Sequence, residues 1–436
     1  MILAPLVVTL VHASAPSVPE DPASSEWTRF RGPNGNGRVA TSSSVPTTWS
    51  AEENLRWRAP LPGSGTSSPI VTTDRVYLTA YTGYGVDRDE PGDPGDLERH
   101  LFAFDRASGR ELWRATVPGV EGEDPFKGFL TQHGYASSTP TTDGDRVYVL
   151  FGKAGLHAFD LDGELVWNAD LGRMSDPAKW GDATSPIVVE GTVVVDAGVL
   201  GHQLVGLDAE TGETRWRIED DGLTNSWTTP TVVEDEDGPL VLFSVPKRII
   251  AVEPTSGDIV WEVESPLDDS TCASIVSADG RGYVMGTRRG RGMAFDCRPE
   301  PAGDDRVLWK RQIRSGICTP ILVGGGMYWC TGGILMGADV ETGDYLYRER
   351  LPRLDGPTGG FPNADYSSPV AIGDLIVQFT RNGESYVIRA GKEFDLVAHN
   401  PAFEGDETAF SSSPAISNGE LFVRSEAFLY CISSPL

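Results

Sequence analysis

Polar and hydrophobic positions along this chain form a unit that recurs eight times. Each unit opens with a pair of small residues, usually followed by Pro, and then a short apolar run. The eight copies are Ser67-Ser68-Pro69, Ser138-Thr139-Pro140, Thr184-Ser185-Pro186, Thr228-Thr229-Pro230, a degenerate Cys272-Ala273-Ser274, Cys318-Thr319-Pro320, Ser367-Ser368-Pro369 and Ser412-Ser413-Pro414. Their third positions lie 71, 46, 44, 44, 46, 49 and 45 residues apart, so the first unit carries an insertion.

Each unit continues with further apolar runs that predict three more β-strands. The third run ends in an acidic residue, such as Asp105, which can cap the turn that follows. That turn carries a Gly, such as Gly109, because tight hairpins need a positive φ. The fourth run ends on an aromatic residue: Trp113, Trp167, Trp216, Trp261, Trp309 or, as a substitute, Tyr347. Four short strands in about 45 residues predict a propeller blade whose indole wedges against the next blade.

The last unit predicts how the ring of blades closes. From Ser412 the chain has room for three strands, so the fourth is expected from the segment around Trp57, which matches the segment around Trp113. The predicted fold class is therefore all-β: an eight-bladed β-propeller with four antiparallel strands per blade, spanning residues 55–436 and closed by an N-terminal strand. The seventh unit lacks its aromatic residue, and Val397-Ala398-His399 is the candidate segment.

With its Trp after the Asp-x-x-Thr-Gly turn, this repeat resembles the quinoprotein-type propeller family. That family includes quinone-dependent alcohol and glucose dehydrogenases and the assembly lipoprotein of the outer-membrane β-barrel machinery. The segments Trp27 to Gly37 and Val45 to Trp49 resemble the opening of exported propellers from planctomycete-type bacteria. The resemblance implies the fold, and chemistry does not follow from it alone.

The N-terminus and the charge indicate where the protein works. Residues 1–15 combine an apolar run with Ala13-Ser14-Ala15, which predicts an export signal, and residues 16–54 form a lead-in segment. We expect a periplasmic or secreted protein without a transmembrane segment. A formal net charge of −27 disfavours nucleic acid and anionic membranes as partners. None of the five Cys forms a CxxC pair, and Cys431 is expected to be a small buried hydrophobe.

The segments just before each first strand are expected near the channel mouth, where a ligand would bind. The candidate contacts there are His133, Tyr135, Trp180, Trp227, Arg314, Tyr366 and Phe410. His133 is a candidate base or metal ligand, and the alternative is a loop histidine that bonds to backbone. Trp180 and Trp227 fall outside the wedge positions, so they either recognise a ligand or seal the mouth.

Two other motifs have alternative interpretations. Asp87, Asp89, Asp93 and Glu98 have the spacing of a calcium loop, but Pro91 replaces one oxygen ligand, and the alternative is a solvated acidic loop. The tract from Arg288 to Gly292 resembles RNA-binding Arg-Gly sequences, but in an acidic chain it predicts a turn between blade-five strands.

Three functions remain open at this point. The favoured hypothesis is a monomeric, non-catalytic scaffold without a cofactor, which binds a protein or an extended peptide. The second is an enzyme: a divergent quinoprotein dehydrogenase with pyrroloquinoline quinone and calcium, or a hydrolase that uses channel carboxylates. The quinone enzymes of the family commonly carry a vicinal Cys-Cys ring, which this chain lacks. The third is a carbohydrate-binding module that stacks sugars on Trp180, Trp227 and Tyr366.

Overall fold

The computed structural model describes residues 26–39, 45–235, 238–267, 270–287, 290–352 and 365–435. The predicted export signal, residues 16–25 and 40–44 of the lead-in, and Arg288 and Arg289 of the Arg-Gly tract lie outside these described residues. Within the described ranges, no helix has both the length and the apolar character needed to cross a bilayer.

The described chain forms eight sheets, each with four antiparallel strands, and blade seven carries a fifth strand that pairs in parallel at its inner edge. Two strands precede the first blade, β1 (Arg38–Val39) and β2 (Leu55–Pro60). The strands of blades one and two are β3 (Ile70–Val71), β4 (Arg75–Thr82), β5 (Glu98–Asp105), β6 (Glu111–Pro118), β7 (Thr141–Thr142), β8 (Arg146–Leu150), β9 (Leu156–Asp160) and β10 (Leu165–Ala169). Those of blades three and four are β11 (Ile187–Val189), β12 (Thr192–Ala197), β13 (Gln203–Asp208), β14 (Thr214–Glu219), β15 (Thr231–Asp235), β16 (Gly238–Val245), β17 (Arg248–Val252) and β18 (Ile259–Glu264).

Blades five to eight repeat the pattern. The strands of blades five and six are β19 (Val276–Ala278), β20 (Arg281–Met285), β21 (Gly292–Asp296), β22 (Val307–Arg311), β23 (Ile321–Val323), β24 (Gly326–Thr331), β25 (Ile334–Asp339) and β26 (Tyr345–Arg350). Those of blades seven and eight are β27 (Val370–Ile372), β28 (Leu375–Phe379), β29 (Ser385–Arg389), β30 (Asp395–Asn400), β31 (Ala415–Ser417), β32 (Glu420–Arg424) and β33 (Phe428–Ile432), with β2 completing blade eight. Short helical turns lie at Pro94–Asp96, Gly128–Gln132, Gly152–Ala154, Gly198–Gly201 and Gly303–Arg306.

The predicted closure of the ring is confirmed. Strand β2 pairs antiparallel with β33, which places Trp57 opposite the buried Cys431. The Trp57 indole then donates a hydrogen bond to the carbonyl oxygen of Arg106 in blade one, at 3.0 Å. The N-terminal strand therefore completes blade eight and locks it against blade one.

The same wedge joins most other blades. The Trp113 indole donates to the carbonyl oxygen of Leu161 in blade two at 2.9 Å, and its ring lies on Gly163, where a Cβ would come within 2.7 Å. The Gly of each turn thus supplies both a positive φ and the space for the indole. At the blade four to five junction the turn Gly is replaced by Arg306, whose guanidinium covers the Trp261 ring, 3.9 Å from its centroid.

Blade seven has no wedge aromatic. In its fourth strand Ala398 occupies the register position that Trp113 holds in blade one, each opposite the third residue from the end of the preceding strand. The adjacent His399 stacks on Tyr386 of its own blade at 4.4 Å. The candidate segment was right, but its aromatic position is wrong, because His399 faces the other side of the pleat.

A ring of hydrogen bonds runs through the small polar pairs around the central axis. The backbone N–H of Ser68 donates to Thr139 Oγ1 in the next blade at 2.9 Å, and Thr139 N–H donates to Ser185 Oγ at 2.9 Å. Among the described residues this bond recurs at seven of the eight junctions. We call the eight hydroxyl residues the belt: Ser68, Thr139, Ser185, Thr229, Ser274, Thr319, Ser368 and Ser413.

The belt corrects the fifth repeat by one residue. Thr229 N–H donates to Ser274 Oγ, and Ser274 N–H donates to Thr319 Oγ1, both at 3.0 Å. Ser274 is therefore the second residue of its unit, and Ile275 stands where the other units have Pro. The alignment on Cys272-Ala273-Ser274 was wrong because no Pro marked the register.

Candidate functional site

The belt encloses a cavity of about 150 Å³ on the propeller axis. Of its twenty lining residues, eleven are Ser or Thr, and the belt supplies eight of these. Every belt residue is at least nine-tenths buried. The small polar pairs of the sequence therefore form both the joint between the blades and the wall of the cavity.

The lead-in segment closes one end of this cavity. Trp27 exchanges two backbone hydrogen bonds with Val71 in blade one, at 2.7 and 2.8 Å. In blades six and seven, the buried Arg31 guanidinium donates to the carbonyl oxygens of Pro320 and Pro369, at 2.8 and 3.0 Å. Phe30 lies between these anchors and lines the cavity. The lead-in segment contacts the first strands after they have passed the belt, as at Val71, so Phe30 forms the floor of the cavity.

Aromatic side chains form the mouth, on the side from which the first strands enter. The turn Gly128–Gln132, in the connection from blade one to blade two, brings Phe129 to 5.2 Å from Trp180 and 5.9 Å from Tyr366 (ring centroids). Trp180 in turn lies 5.2 Å from Trp227. These four half-buried rings come from connections that precede blades two, three, four and seven, so the mouth is assembled across the whole ring.

His133 lines the cavity with both ring nitrogens engaged. Nε2 lies 2.8 Å from the carbonyl oxygen of Trp180, so it carries the proton and donates, while Nδ1 accepts from Ser137 Oγ at 2.6 Å. Burial lowers the pKa of His133 to about 4, which keeps the ring neutral near pH 7. The imidazole holds the mouth together and has no nitrogen free for a metal ion.

The seven sequence candidates divide into two groups. His133, Trp180, Trp227 and Tyr366 all line the cavity. The other three do not: Tyr135 packs on Tyr81 and donates to the Asp124 carbonyl oxygen, Arg314 is exposed, and Phe410 is buried in the blade-eight core. Their place just before a first strand was not sufficient, because these connections differ in length and path.

The four calcium candidates do not converge. Asp87 Oδ1 accepts from the N–H of Asp89 and Glu90, and Asp93 Oδ1 accepts from the N–H of Gly95, so each carboxylate caps its own turn. Glu98 begins β5 with an exposed side chain. Across the described ranges, no group of three or more His, Cys, Asp or Glu side chains is arranged to hold a metal ion.

The cavity wall does not fit a quinone with its calcium ion. Such a site needs carboxylate and amide oxygens for calcium and a carboxylate base beside the cofactor. None of the described residues that line this cavity is Asp, Glu, Asn, Gln, Lys or Arg. The wall supplies hydroxyls, aromatic rings and one neutral imidazole, which are ligands for an uncharged guest.

A second, smaller cavity of about 30 Å³ lies beside the first and holds charged groups. Arg99 pairs with Glu123 at 2.8 Å, and Lys153 pairs with Asp124 at 3.3 Å. Burial and the neighbouring Asp196 raise the pKa of Asp182 to about 8. Sequence reasoning missed this cluster, because its members come from different blades and no spacing connects them.

Eight four-stranded blades latched by a leading strand define the chain as a β-propeller of the PQQ-like repeat class. The family model described as outer membrane protein assembly factor BamB matches residues 97–343 and 245–434. The chain belongs to this family.

The proteins that this chain resembles are of two kinds, an assembly factor and oxidoreductases. The outer membrane protein assembly factor BamB of Burkholderia pseudomallei (strain K96243) is 23% identical over 355 residues, which cover 78% of this chain and 80% of that protein. Lupanine 17-hydroxylase (cytochrome c) of a Pseudomonas species is 29% identical over 273 residues, 60% of this chain but only 33% of the hydroxylase. The quinohemoprotein alcohol dehydrogenase of Comamonas testosteroni superposes with a TM-score of 0.65 at 11% identity, over 95% of this chain and 81% of that one, which shows the fold alone.

Proposed function

We propose that this chain is a non-catalytic propeller, exported to the periplasm or secreted, which binds an extended segment of a partner protein. The observation that carries the proposal is the neutral wall of the axial cavity, which supplies neither a calcium site nor a carboxylate base. The match to an assembly factor over most of both chains supports a role in binding, whereas the match to the hydroxylase covers a third of that enzyme.

The rim of the propeller is the surface that suits an extended partner. The fourth strand of each blade is the terminal strand of its sheet, so its outer edge is available to a further strand. Several of these strands also expose apolar side chains at the rim, including Val166, Val260 and Leu308, which are 43%, 41% and 46% exposed. The net charge of −27 favours a partner segment that carries Lys or Arg beside its apolar residues.

Site-specific cross-linking tests this surface. A photoreactive amino acid at position 260, on β18, is expected to capture a discrete partner from the cell envelope. The same group at position 86, an exposed valine in a blade-one loop (52% exposed), serves as the matched control. In the scaffold model Val260→Lys abolishes capture from a second rim position, 308. Equal capture at 86 and 260, or no capture at the rim, contradicts the model.

A cofactor assay tests the competing function. The purified chain is incubated with calcium and pyrroloquinoline quinone, and dye-linked oxidation of alcohols is followed. We expect no turnover above a cofactor-only control, because the cavity wall offers no carboxylate. Sustained turnover that is lost in a cavity-filling variant such as Ala183→Leu would show a divergent dehydrogenase and refute the scaffold proposal.

A further inference from the structure

The size of the axial cavity restricts its guest to a single small ring. Its volume of about 150 Å³ lies below the roughly 300–1,000 Å³ of pockets for drug-sized ligands. An engineered protein cavity of about 150 Å³ is known to hold benzene. One six-membered ring therefore matches this cavity, and a fused polycyclic molecule does not.

The belt offers hydroxyl protons to such a guest. At seven junctions the hydroxyl oxygen is occupied as the acceptor of a backbone N–H, as in Ser274 N–H to Thr319 Oγ1. Within the part of the chain that the structure describes, the belt hydroxyls donate to no protein acceptor. Ser411, also on the wall and 8% exposed, has a buried Oγ without a hydrogen-bond partner. Buried hydroxyls favour a guest with several oxygen acceptors.

The mouth offers flat apolar faces instead. Trp180, Trp227 and Tyr366 are half-buried and line the cavity, so each ring contributes part of the wall that a guest would contact. Trp and Tyr rings combine a large apolar face with a polar edge, which suits a guest with one apolar and one hydroxylated side.

The electrostatics exclude a charged guest. The wall carries no ionised side chain among the described residues, and the buried His133 is neutral. Transfer of an isolated charge into such a site is strongly unfavourable. An anionic ring, such as a sugar phosphate, would have no counter-charge on the wall.

We infer that the axial cavity binds one neutral pyranose ring, either a free monosaccharide or the terminal residue of a glycan. The ring lies with its C–H face toward the mouth aromatics and its hydroxyl groups toward the belt. This inference is independent of the rim surface proposed for a protein partner, so either can fail alone.

Ligand-observed NMR and calorimetry test the inference with defined probes: glucose, N-acetylglucosamine, their methyl glycosides and phenol. At least one sugar is expected to bind the full-length protein. Binding of the methyl glycoside as well indicates a glycan terminus, and binding of the free sugar alone indicates a monosaccharide site. Binding of phenol without any sugar, or binding of none of the probes, overturns the inference.

Three variants, one of them a control, locate the binding in the cavity. Ala183→Leu adds volume to the wall and should weaken sugar binding at least about tenfold, whereas Ala178→Leu, five residues earlier and exposed, should leave it unchanged. Ser411→Ala removes an unbonded hydroxyl and should weaken binding about threefold to tenfold with the fold intact. Near-UV circular dichroism confirms folding, and equal affinities in all three variants overturn the inference.

Discussion

The backbone N–H of Ser413 donates a hydrogen bond to Ser68 Oγ at 3.0 Å, although the two residues are 345 positions apart. The bond joins blade eight to blade one at the axis, while Trp57 joins the same two blades at the rim. The ring is thus closed twice, by a hydroxyl of the belt and by an indole of the wedge. Both contacts recur around the ring, one near the axis and one near the rim, because each blade must contact two neighbours.

The same Thr→Val substitution should cost different amounts of stability at two positions of the belt. Thr319→Val removes the acceptor of the Ser274 N–H and leaves a buried donor unpaired, which should cost about 1–3 kcal/mol of the free energy of unfolding. Thr229→Val is the matched control, since the blade three to four junction is the one where this bond does not occur among the described residues. It should cost less than Thr319→Val. Urea denaturation measures both, and equal losses would show that the belt bond contributes nothing.

The wedge makes a similar paired prediction for two glycines. Gly109 has φ +70°, and a Cβ there would come within 2.5 Å of the Trp57 ring. Gly144 has φ +97° with nothing within 4 Å. Gly144→Ala should cost about 1 kcal/mol from backbone strain alone. Gly109→Ala should cost about 1–3 kcal/mol more, because the indole must move.

Thermal melting compares the two variants, with indole fluorescence as a second probe. A shifted emission spectrum in Gly109→Ala and an unchanged one in Gly144→Ala would confirm that Trp57 is displaced. Equal stability losses would mean that the turn conformation alone requires Gly at these sites.

The repeat predicted the fold because local chemistry recurs at fixed intervals. The hairpin glycines, the aromatic ends of the fourth strands and the segment around Trp57 each follow from a short motif, and the strand count required an N-terminal latch. Where the motif was missing, the register failed: Ser274 was misplaced by one residue without its Pro. Arg306 replaces a Gly turn at Trp261 from within an insertion that has no counterpart in other blades.

The site was less accessible to sequence reasoning. Trp180, Trp227, Tyr366 and His133 each lie two to six residues before a belt residue, and that position is the signal by which the sequence indicated them. Phe129 lies farther from the belt in the same connection as His133, and Phe30 lies in the lead-in segment, so no repeated motif marks either residue. The belt hydroxyls were visible as a motif, but their position on the cavity wall follows only from the closed ring.

Stability should depend on pH through Asp182. Its raised pKa, about 8, means that the folded state binds a proton that the unfolded chain releases above about pH 4, so this group lowers stability as the pH rises toward 8. The buried His133 acts in the opposite direction, and only between about pH 4 and 6.5. Between about pH 6.5 and 8, stability should therefore fall by at most about 1.4 kcal/mol per pH unit from Asp182 alone.

Asp182→Asn should reduce this dependence, because the amide does not ionise, and the part that remains is expected from the neighbouring Asp196, whose pKa burial raises to about 7. The exposed Asp89→Asn is the control and should leave the slope of the wild-type chain unchanged. Urea midpoints at several pH values between about 6.5 and 8 measure the slope. An identical slope in Asp182→Asn would show that Asp182 is ionised in the folded protein across this range.

The junction between blades four and five should depend on Arg306. The Arg306 guanidinium donates to the carbonyl oxygens of Asp296 and Arg298, at 2.8 and 2.9 Å, and lies over the Trp261 ring. Burial lowers the pKa of Arg306, and the carbonyl oxygens and the indole face together stabilise its charged form. Arg306→Lys keeps the charge but loses the planar fork, and should cost about 2 kcal/mol. Arg298→Lys, with a side chain 65% exposed, should cost less than about 0.5 kcal/mol. Chemical denaturation of the two variants compares them, and an Arg306→Lys protein as stable as Arg298→Lys would mean that Trp261 is held by its own indole hydrogen bond to Cys297.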